Sequence, residues 1–155
     1  MRVGLGFDVH RFAEGDGVTL GGVKIPFGKK LVGHSDADAL CHAIIDALLG
    51  AASLGDIGEH FPDTDPKYKG ASSIGLLRRA AAEVSAAGYT ICNVDAVVVT
   101  ERPRLLEFKQ KMERMIADAI GVESGCVSVK AKTAEGLGPV GAGDALCAQA
   151  VALIA

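Results

Sequence analysis

Three stretches of this chain carry residue types suited to metal and phosphate chemistry. Asp8-Val9-His10 sets a carboxylate and an imidazole two residues apart. On a strand, residues i and i+2 leave the same face, so both side chains can converge on one ion. A carboxylate oxygen beside an imidazole nitrogen suits zinc or another borderline divalent cation. The same spacing also serves a plain Asp–His hydrogen bond at a strand end. Further along, Asp38, His42 and Asp46 recur every four residues and form one polar stripe on a helix. Their neighbours are Ala, Leu, Cys and Ile, with no Lys or Glu, and a histidine in such company is costly unless its ring is engaged. The alternative is a solvated helix face. Asp8, His10 and His42 together would leave a coordination position open, as a catalytic zinc requires. Asp46, one turn past His42, is placed to orient its ring, and Asp38 is a second candidate for that supporting role.

His34 and Ser35 stand at the mouth of the same helix, where free N–H groups and the helix dipole favour a phosphate. Ser35 reads as the N-cap, with Asp38 completing an approximate capping box, so its chemistry stays open. His34 has no such structural explanation and is the stronger candidate. Gly55-Asp56-Ile57-Gly58 would let the backbone approach a ligand, with Asp56 accepting from hydroxyls, though an ordinary helix-exit turn looks the same. Phe61-Pro62-Asp63-Thr64-Asp65-Pro66 is a stretch stiffened by two prolines and lacks the calcium-loop pattern of an EF-hand. Near the end, Lys130 to Gly138 leaves a strand into a glycine-bearing loop offering the Thr133 hydroxyl and the Glu135 carboxylate, without the Walker A spacing.

These groups need a scaffold. Val3, Leu5, Phe7 and Val9 alternate within Arg2 to Phe12 as in a half-buried strand, and Val18 to Ile25 reads as a hairpin on Gly21-Gly22. A helix follows Ser35, with Leu40, Cys41, Ile44 and Leu48 as its apolar face and an end at Gly50 or near Gly55. Gly55 to Gly70 reads as a loop. A second helix spans Ser72/Ser73 to Gly88 with Leu76, Leu77, Ala80 and Val84 inward. Ile91 to Thr100 is a buried strand. Pro103 suits the first turn of a third helix, which Gly121 stops. Val127 to Ala131 and Leu146 to Ile154 complete the strands, the last expected at an edge. The order β-β-β-α-α-β-α-β-β predicts an α/β, α+β-like sandwich: one mixed sheet with helices on one face, plus a small hairpin, as a single domain over residues 1–155.

Composition narrows the function classes. With 155 residues, 49% of them hydrophobic, the chain can bury a core without disulfides or a structural metal. A formal charge of −3 without a basic run argues against nucleic acid as partner. No apolar run is long enough for a membrane span, and no charged-then-apolar leader opens the chain. Four cysteines without CxxC spacing suit reduced thiols and a cytoplasmic location. All four histidines, His60 included, fall within the first 60 residues.

Taken in order, Gly6-Phe7-Asp8-Val9-His10, Gly33-His34-Ser35-Asp36-Ala37-Asp38, His42, Gly55 to Gly58, Phe61 to Asp65 and Thr133 to Gly138 closely resemble the 2-C-methyl-D-erythritol 2,4-cyclodiphosphate synthases of the non-mevalonate isoprenoid pathway. The resemblance covers essentially the whole chain. It implies a lyase acting on 4-diphosphocytidyl-2-C-methyl-D-erythritol 2-phosphate, whose 2-phosphate attacks the β-phosphorus, expels CMP and closes a cyclic diphosphate. On that likeness Asp8, His10 and His42 are zinc ligands, and Glu135 holds a second ion, magnesium or manganese, against the substrate phosphates. His34 and Thr133 stabilise the reacting phosphates and are the catalytic pair. The Asp8-Val9-His10 segment, Ser35, Asp56, Ile57, Gly58 and the loop of Phe61, Pro62, Asp63, Thr64 and Asp65 border the methylerythritol and ribose. The cytidine pocket falls to Thr100, Glu101, Arg102, Pro103, Arg104, Leu105 and Leu106, facing Ala131, Lys132, Thr133, Ala134 and Glu135.

The likeness also implies a homotrimer whose active sites lie between subunits. Pro139 and Ala142 depart from the family's usual aromatic and arginine, which removes the charge that would hold a diphosphate in the trimer's central cavity. Lys132 stands where threonine is frequent. The competing readings are a nucleotide-binding module without chemistry, a trimer with structural zinc, and a metal phosphohydrolase.

Overall fold

The computed structural model describes all 155 residues. A long first strand, β1 (Arg2–Glu14), is followed by the hairpin β2 (Val18–Leu20) and β3 (Val23–Ile25) and by the short β4 (Lys29–Leu31). Helix α1 (Ala39–Ala52) leads through the one-turn α2 (Ile57–His60) and a 3-10 turn at Pro66–Tyr68 to α3 (Ser73–Ala86). Then come β5 (Ile91–Val99), α4 (Lys109–Ile120), a 3-10 turn at Ser124–Cys126, β6 (Val127–Lys132), the one-turn α5 (Gly138–Gly141) and β7 (Ala145–Ile154). The sheet order is β4-β1-β7-β5-β6, with β5 and β6 parallel and the other pairs antiparallel, while β2 and β3 pair separately. The expected mixed sheet with one hairpin is therefore present. No helix is long and apolar enough to cross a membrane.

All the main helices cover one face of the sheet, and glycine decides how closely. Gly4 and Gly6 of β1 face α1, where a Cβ on either would stand 1.9 Å from a helix carbonyl oxygen, that of Ala47 or Ala43. Only glycine lets the two backbones approach this far. Leu40, Cys41, Ile44 and Leu48 of α1 are fully buried, as their spacing requires, with Ala96, Val98, Ala148, Ala150 and Ala152 below them. The alternation in β1 has the opposite sense from a core-facing set. Val3, Leu5, Phe7 and Val9 lie on the uncovered face and are each more than half exposed. The face against α1 carries Gly4, Gly6, Asp8, His10 and Phe12 instead.

Five other expectations are corrected. Ser35 is not the N-cap of α1. That position belongs to Asp38, whose carboxylate accepts from Cys41 N at 3.0 Å and from Gly21 N and Gly22 N of the hairpin turn at 2.9 and 2.7 Å. Asp38 is thus a buried clamp between helix and hairpin, not a partner of the His42 ring. Helix α1 ends at Ser53, in the left-handed region at φ 58°, between the two expected stops. Helix α4 begins at Lys109 and not at Pro103. The Thr100 hydroxyl donates to Arg102 O at 2.5 Å and Phe108 N to Leu105 O at 3.0 Å, so the segment before Lys109 folds as bends and a turn. Strand β7 lies at the centre of the sheet, paired with β1 along ten residues and with β5 on its other side, because its alternating alanines fit under α1.

Candidate active site

The inner face of β1 and the first turns of α1 bring three ligand-type side chains together. Asp8 Oδ2 lies 2.9 Å from His10 Nδ1 and 3.0 Å from His42 Nδ1, and the ligand atoms of the three residues all fall within 4.8 Å of one another. The imidazole rings stand 5.2 Å apart between centroids, tilted by 48°. Burial alone would raise the Asp8 carboxyl, but the two imidazoles facing it hold it at about 2. Burial opposes a charged His42 ring, yet the Asp8 hydrogen bond and charge, with Asp38 and Asp36 behind, raise it above the usual histidine value. His10 Nδ1 is buried and makes no hydrogen bond, although Asp8 Oδ2 stands 2.9 Å away. A buried imidazole nitrogen aimed at a carboxylate without bonding to it suits a cation between them. The donor set, two nitrogens and one carboxylate oxygen, suits a borderline divalent cation with a coordination position left open.

The surroundings of His42 differ from the sequence expectation. Its Nε2 lies 2.9 Å from Ser73 Oγ and 3.1 Å from Ser35 Oγ. Asp46 makes no hydrogen bond to the ring. Its carboxylate accepts from Ile57 N at 2.8 Å and so fixes the start of α2. Ser73, fully buried, was missed, as was Asp36, which accepts from both the amide and the hydroxyl of Ser73. The only sequence signal was Ser72-Ser73 as a helix start. Nothing in it indicated that this helix end would be set beside His42.

A cleft of about 460 Å³ opens over the histidines, lined by His34, Ser35, Ile57, Gly58, Phe61, Pro62 and Asp63 among others. His34 Nε2 lies 3.4 Å from Asp65 O. The segment after Gly55 is not a plain loop. Asp56 caps α2 by accepting from Glu59 N at 3.0 Å. Phe61 is a buried anchor, edge-on to Tyr68 at 5.5 Å with the Arg79 guanidinium over both rings. Thr64 and Asp65 do not line the cleft, and Asp65 pairs with Lys67 Nζ at 2.8 Å. Val9 points away from Asp8 and His10, onto the uncovered sheet face.

A second cleft, about 480 Å³, is lined by Thr100 to Leu106, Lys109 and Ala131 to Thr133. This gathers most of the residues expected around a nucleotide and adds Lys109, while Ala134 and Glu135 do not line it. Glu101 is committed to the backbone, accepting from Ala134 N at 2.9 Å and Gly136 N at 3.3 Å. It thereby shapes the turn in which Glu135, at φ 53°, accepts from the Thr133 hydroxyl. Within one chain the two clefts have no lining residue in common.

Comparison with known proteins decides the family, since the YgbB family model matches residues 1–155. The chain belongs to the YgbB family. A 2-C-methyl-D-erythritol 2,4-cyclodiphosphate synthase from Pelotomaculum thermopropionicum is 53% identical over 154 residues, 99% of this chain and 95% of its own length. Among solved structures, the bifunctional IspDF from Campylobacter jejuni superposes with a TM-score of 0.95 at 41% identity, over 99% of this chain and 42% of that longer chain. A 2C-methyl-D-erythritol-2,4-cyclodiphosphate synthase solved in its CDP-bound form gives a TM-score of 0.91 at 37% identity, covering 99% of this chain and all of that one. The YgbB family match thus spans the whole chain.

Proposed function

We propose that this YgbB-family chain is a metal-dependent cyclodiphosphate synthase of isoprenoid biosynthesis. It converts 4-diphosphocytidyl-2-C-methyl-D-erythritol 2-phosphate to 2-C-methyl-D-erythritol 2,4-cyclodiphosphate and CMP. The observation that carries the reading is the convergence of Asp8, His10 and His42 with an unbonded His10 nitrogen, beside a cleft rich in polar loop groups. In this reading the three side chains hold zinc, and Glu135 takes magnesium or manganese. Such ions supply Lewis-acid neutralisation of the substrate phosphates when bound. The protein's own task is positioning, because nucleophile and electrophile belong to one flexible, highly charged molecule. His34, at the helix mouth, and the Thr133 hydroxyl contact the reacting phosphates. Ser35, Asp56 and the Ile57 to Asp63 wall hold the sugar-like hydroxyls, and the 100–106 and 131–133 segments hold the cytidine. Binding of CDP by a structural relative supports that last assignment.

The two clefts require a second chain in this reading. The exposed apolar row of Val3, Leu5, Phe7 and Val9, continued by Val151 on the neighbouring strand, supports a homotrimer packed through the uncovered sheet faces. The metal cleft of one subunit would then meet the nucleotide cleft of the next. Four free cysteines support a reducing, cytoplasmic setting.

Incubating the protein with the cytidylyl substrate, Zn²⁺ and Mg²⁺ tests the reaction. CMP and the cyclic diphosphate should appear in equal amounts. Release of inorganic phosphate without the cyclic product would make the chain a phosphohydrolase instead, and absence of CMP would overturn the assignment.

A further inference from the structure

We propose that Asp36 and Ser73 form a hydrogen-bond relay that fixes which nitrogen of His42 faces the metal, making both of them positioning residues for the zinc site. The inference rests on the reading of Asp8, His10 and His42 as metal ligands and deepens it. The hydrogen bonds of Asp36 and Ser73 favour one arrangement. The Asp36 carboxylate is acceptor-only when ionised, and it takes both the amide of Ser73, at 3.1 Å, and the Ser73 hydroxyl. The single hydroxyl proton of Ser73 is therefore spent on Asp36. Its oxygen is left as an acceptor, and His42 Nε2 lies 2.9 Å away, with Ser35 Oγ at 3.1 Å on the same nitrogen. Toward Ser73, His42 Nε2 is then the donor and carries hydrogen. Nδ1, which donates to Asp8 at 3.0 Å in the metal-free chain, is then the nitrogen that gives up its proton and offers its lone pair when a cation binds.

Complete burial of Ser73 removes water as a competing partner, and of the two hydroxyls on Nε2 only that of Ser73 has its proton held by a carboxylate. Asp38, two positions after Asp36, behaves differently. Asp38 is equally buried, but its oxygens are taken by Gly21, Gly22 and Cys41. Asp46, one helical turn beyond His42, is taken by Ile57. Of the acidic groups near this ring, Asp36 alone reaches its far nitrogen, and it does so through a residue 31 positions further along the chain than His42.

The test compares zinc affinity, by competition with a chromophoric chelator, in the full-length wild type, Ser73→Ala, Asp36→Ala, Asp36→Asn and Ser72→Ala. Outer partners of a ligating histidine typically contribute about 10–100-fold in metal affinity. Ser73→Ala and Asp36→Ala should bind zinc more weakly by about that factor, and Asp36→Asn, which keeps an acceptor, should recover part of the loss. Ser72→Ala should match the wild type, because the Ser72 side chain makes no cap hydrogen bond. Nitrogen-15 NMR of the zinc-loaded wild type supplies a readout that needs no variant: His42 should show a protonated Nε2 and a metal-bound Nδ1. Wild-type affinity in Ser73→Ala, or zinc on Nε2, overturns the relay and leaves the metal reading standing. A wild type that binds no zinc overturns both.

Discussion

Gly6 lies so close under α1 that a Cβ on it would stand 1.9 Å from the carbonyl oxygen of Ala43. The contact is backbone to backbone, so no rotamer change relieves it. It also sets the distance between the Asp8–His10 face of β1 and His42, which precedes Ala43 on the helix. Gly6→Ala should therefore cost about 2–4 kcal/mol in denaturant unfolding and weaken metal binding as well, since the helix must lift. Gly50→Ala, on the same helix with nothing within 4 Å of the added methyl, should be neutral or slightly stabilising. Equal effects of the two substitutions would show that close approach is not the constraint.

Asp38 replaces Ser35 as the cap of α1, and its carboxylate serves three backbone donors from two elements. Removing it leaves buried N–H groups of the helix and the hairpin turn unsatisfied. Asp38→Ala should lose about 3–5 kcal/mol, and Asp38→Asn less, because one oxygen acceptor survives. Urea midpoints of the two variants check this, and a loss in the alanine variant no larger than an ordinary exposed cap would contradict the three-donor role.

Which parts of this architecture were legible in the sequence follows from how local their causes are. β5, β6, α3 and the buried face of α1 declare themselves through periodicity, and Asp8, His10 and His42 through spacing along one strand and one helix. The start of α4 did not, because no side chain caps Phe108 and the preceding turn is held by Thr100 and by Lys132 across the sheet. β4 is three residues long and exists by pairing with Phe12 to Glu14. The sense of the β1 alternation inverted because glycines, silent in a hydrophobicity pattern, are what the helix needs beneath it. Ser73 and Asp36 were invisible for the same reason: their role depends on contacts between segments 31 or more residues apart.

The acid side of stability should carry the signature of Asp8. Its carboxyl is held at about 2 in the folded chain against 3.8 unperturbed, so as pH falls the unfolded chain takes up this proton first. The contribution is complete above about pH 4 and is lost between there and pH 2, on the order of 2 kcal/mol in the metal-free protein. His42 is raised, so its contribution is complete below the unfolded histidine value and is lost as pH rises through the folded one. Urea midpoints of chelated protein across pH should fall on both sides, and Asp8→Asn should flatten both limbs. An unchanged profile in that variant would remove the Asp8–His42 couple as the cause.

The uncovered sheet face predicts a change of association state. Leu5 on β1 stands opposite Val151 on β7, both on that face and both exposed in the single chain. Leu5→Lys places a charge in the middle of the apolar row while leaving the α1 side of β1 untouched. Sedimentation should show a trimer for the wild type and a monomer for the variant, with activity lost and zinc retained, since the metal ligands all come from one chain. A variant that remains trimeric would exclude this face as the interface.

Glu101 gives the last test, because its carboxylate holds a turn instead of reaching toward solvent. One oxygen accepts from Ala134 N and Gly136 N, and between those residues Glu135 adopts a positive φ of 53° that a non-glycine residue holds only under constraint. The same turn presents Glu135 to the Thr133 hydroxyl, so the group proposed to hold the second ion depends on Glu101 for its direction. Glu101→Ala should release the turn, raising KM for the cytidylyl substrate and raising the Mg²⁺ concentration needed for half-maximal rate. Glu101→Gln keeps a carbonyl acceptor in the same place and should restore most of both. The fold should hardly respond, since the turn lies at the surface and two net hydrogen bonds contribute only about 1–3 kcal/mol. If Glu101→Gln is as impaired as Glu101→Ala, the negative charge itself is what matters, and Glu101 acts on the ion or substrate directly, not through the turn.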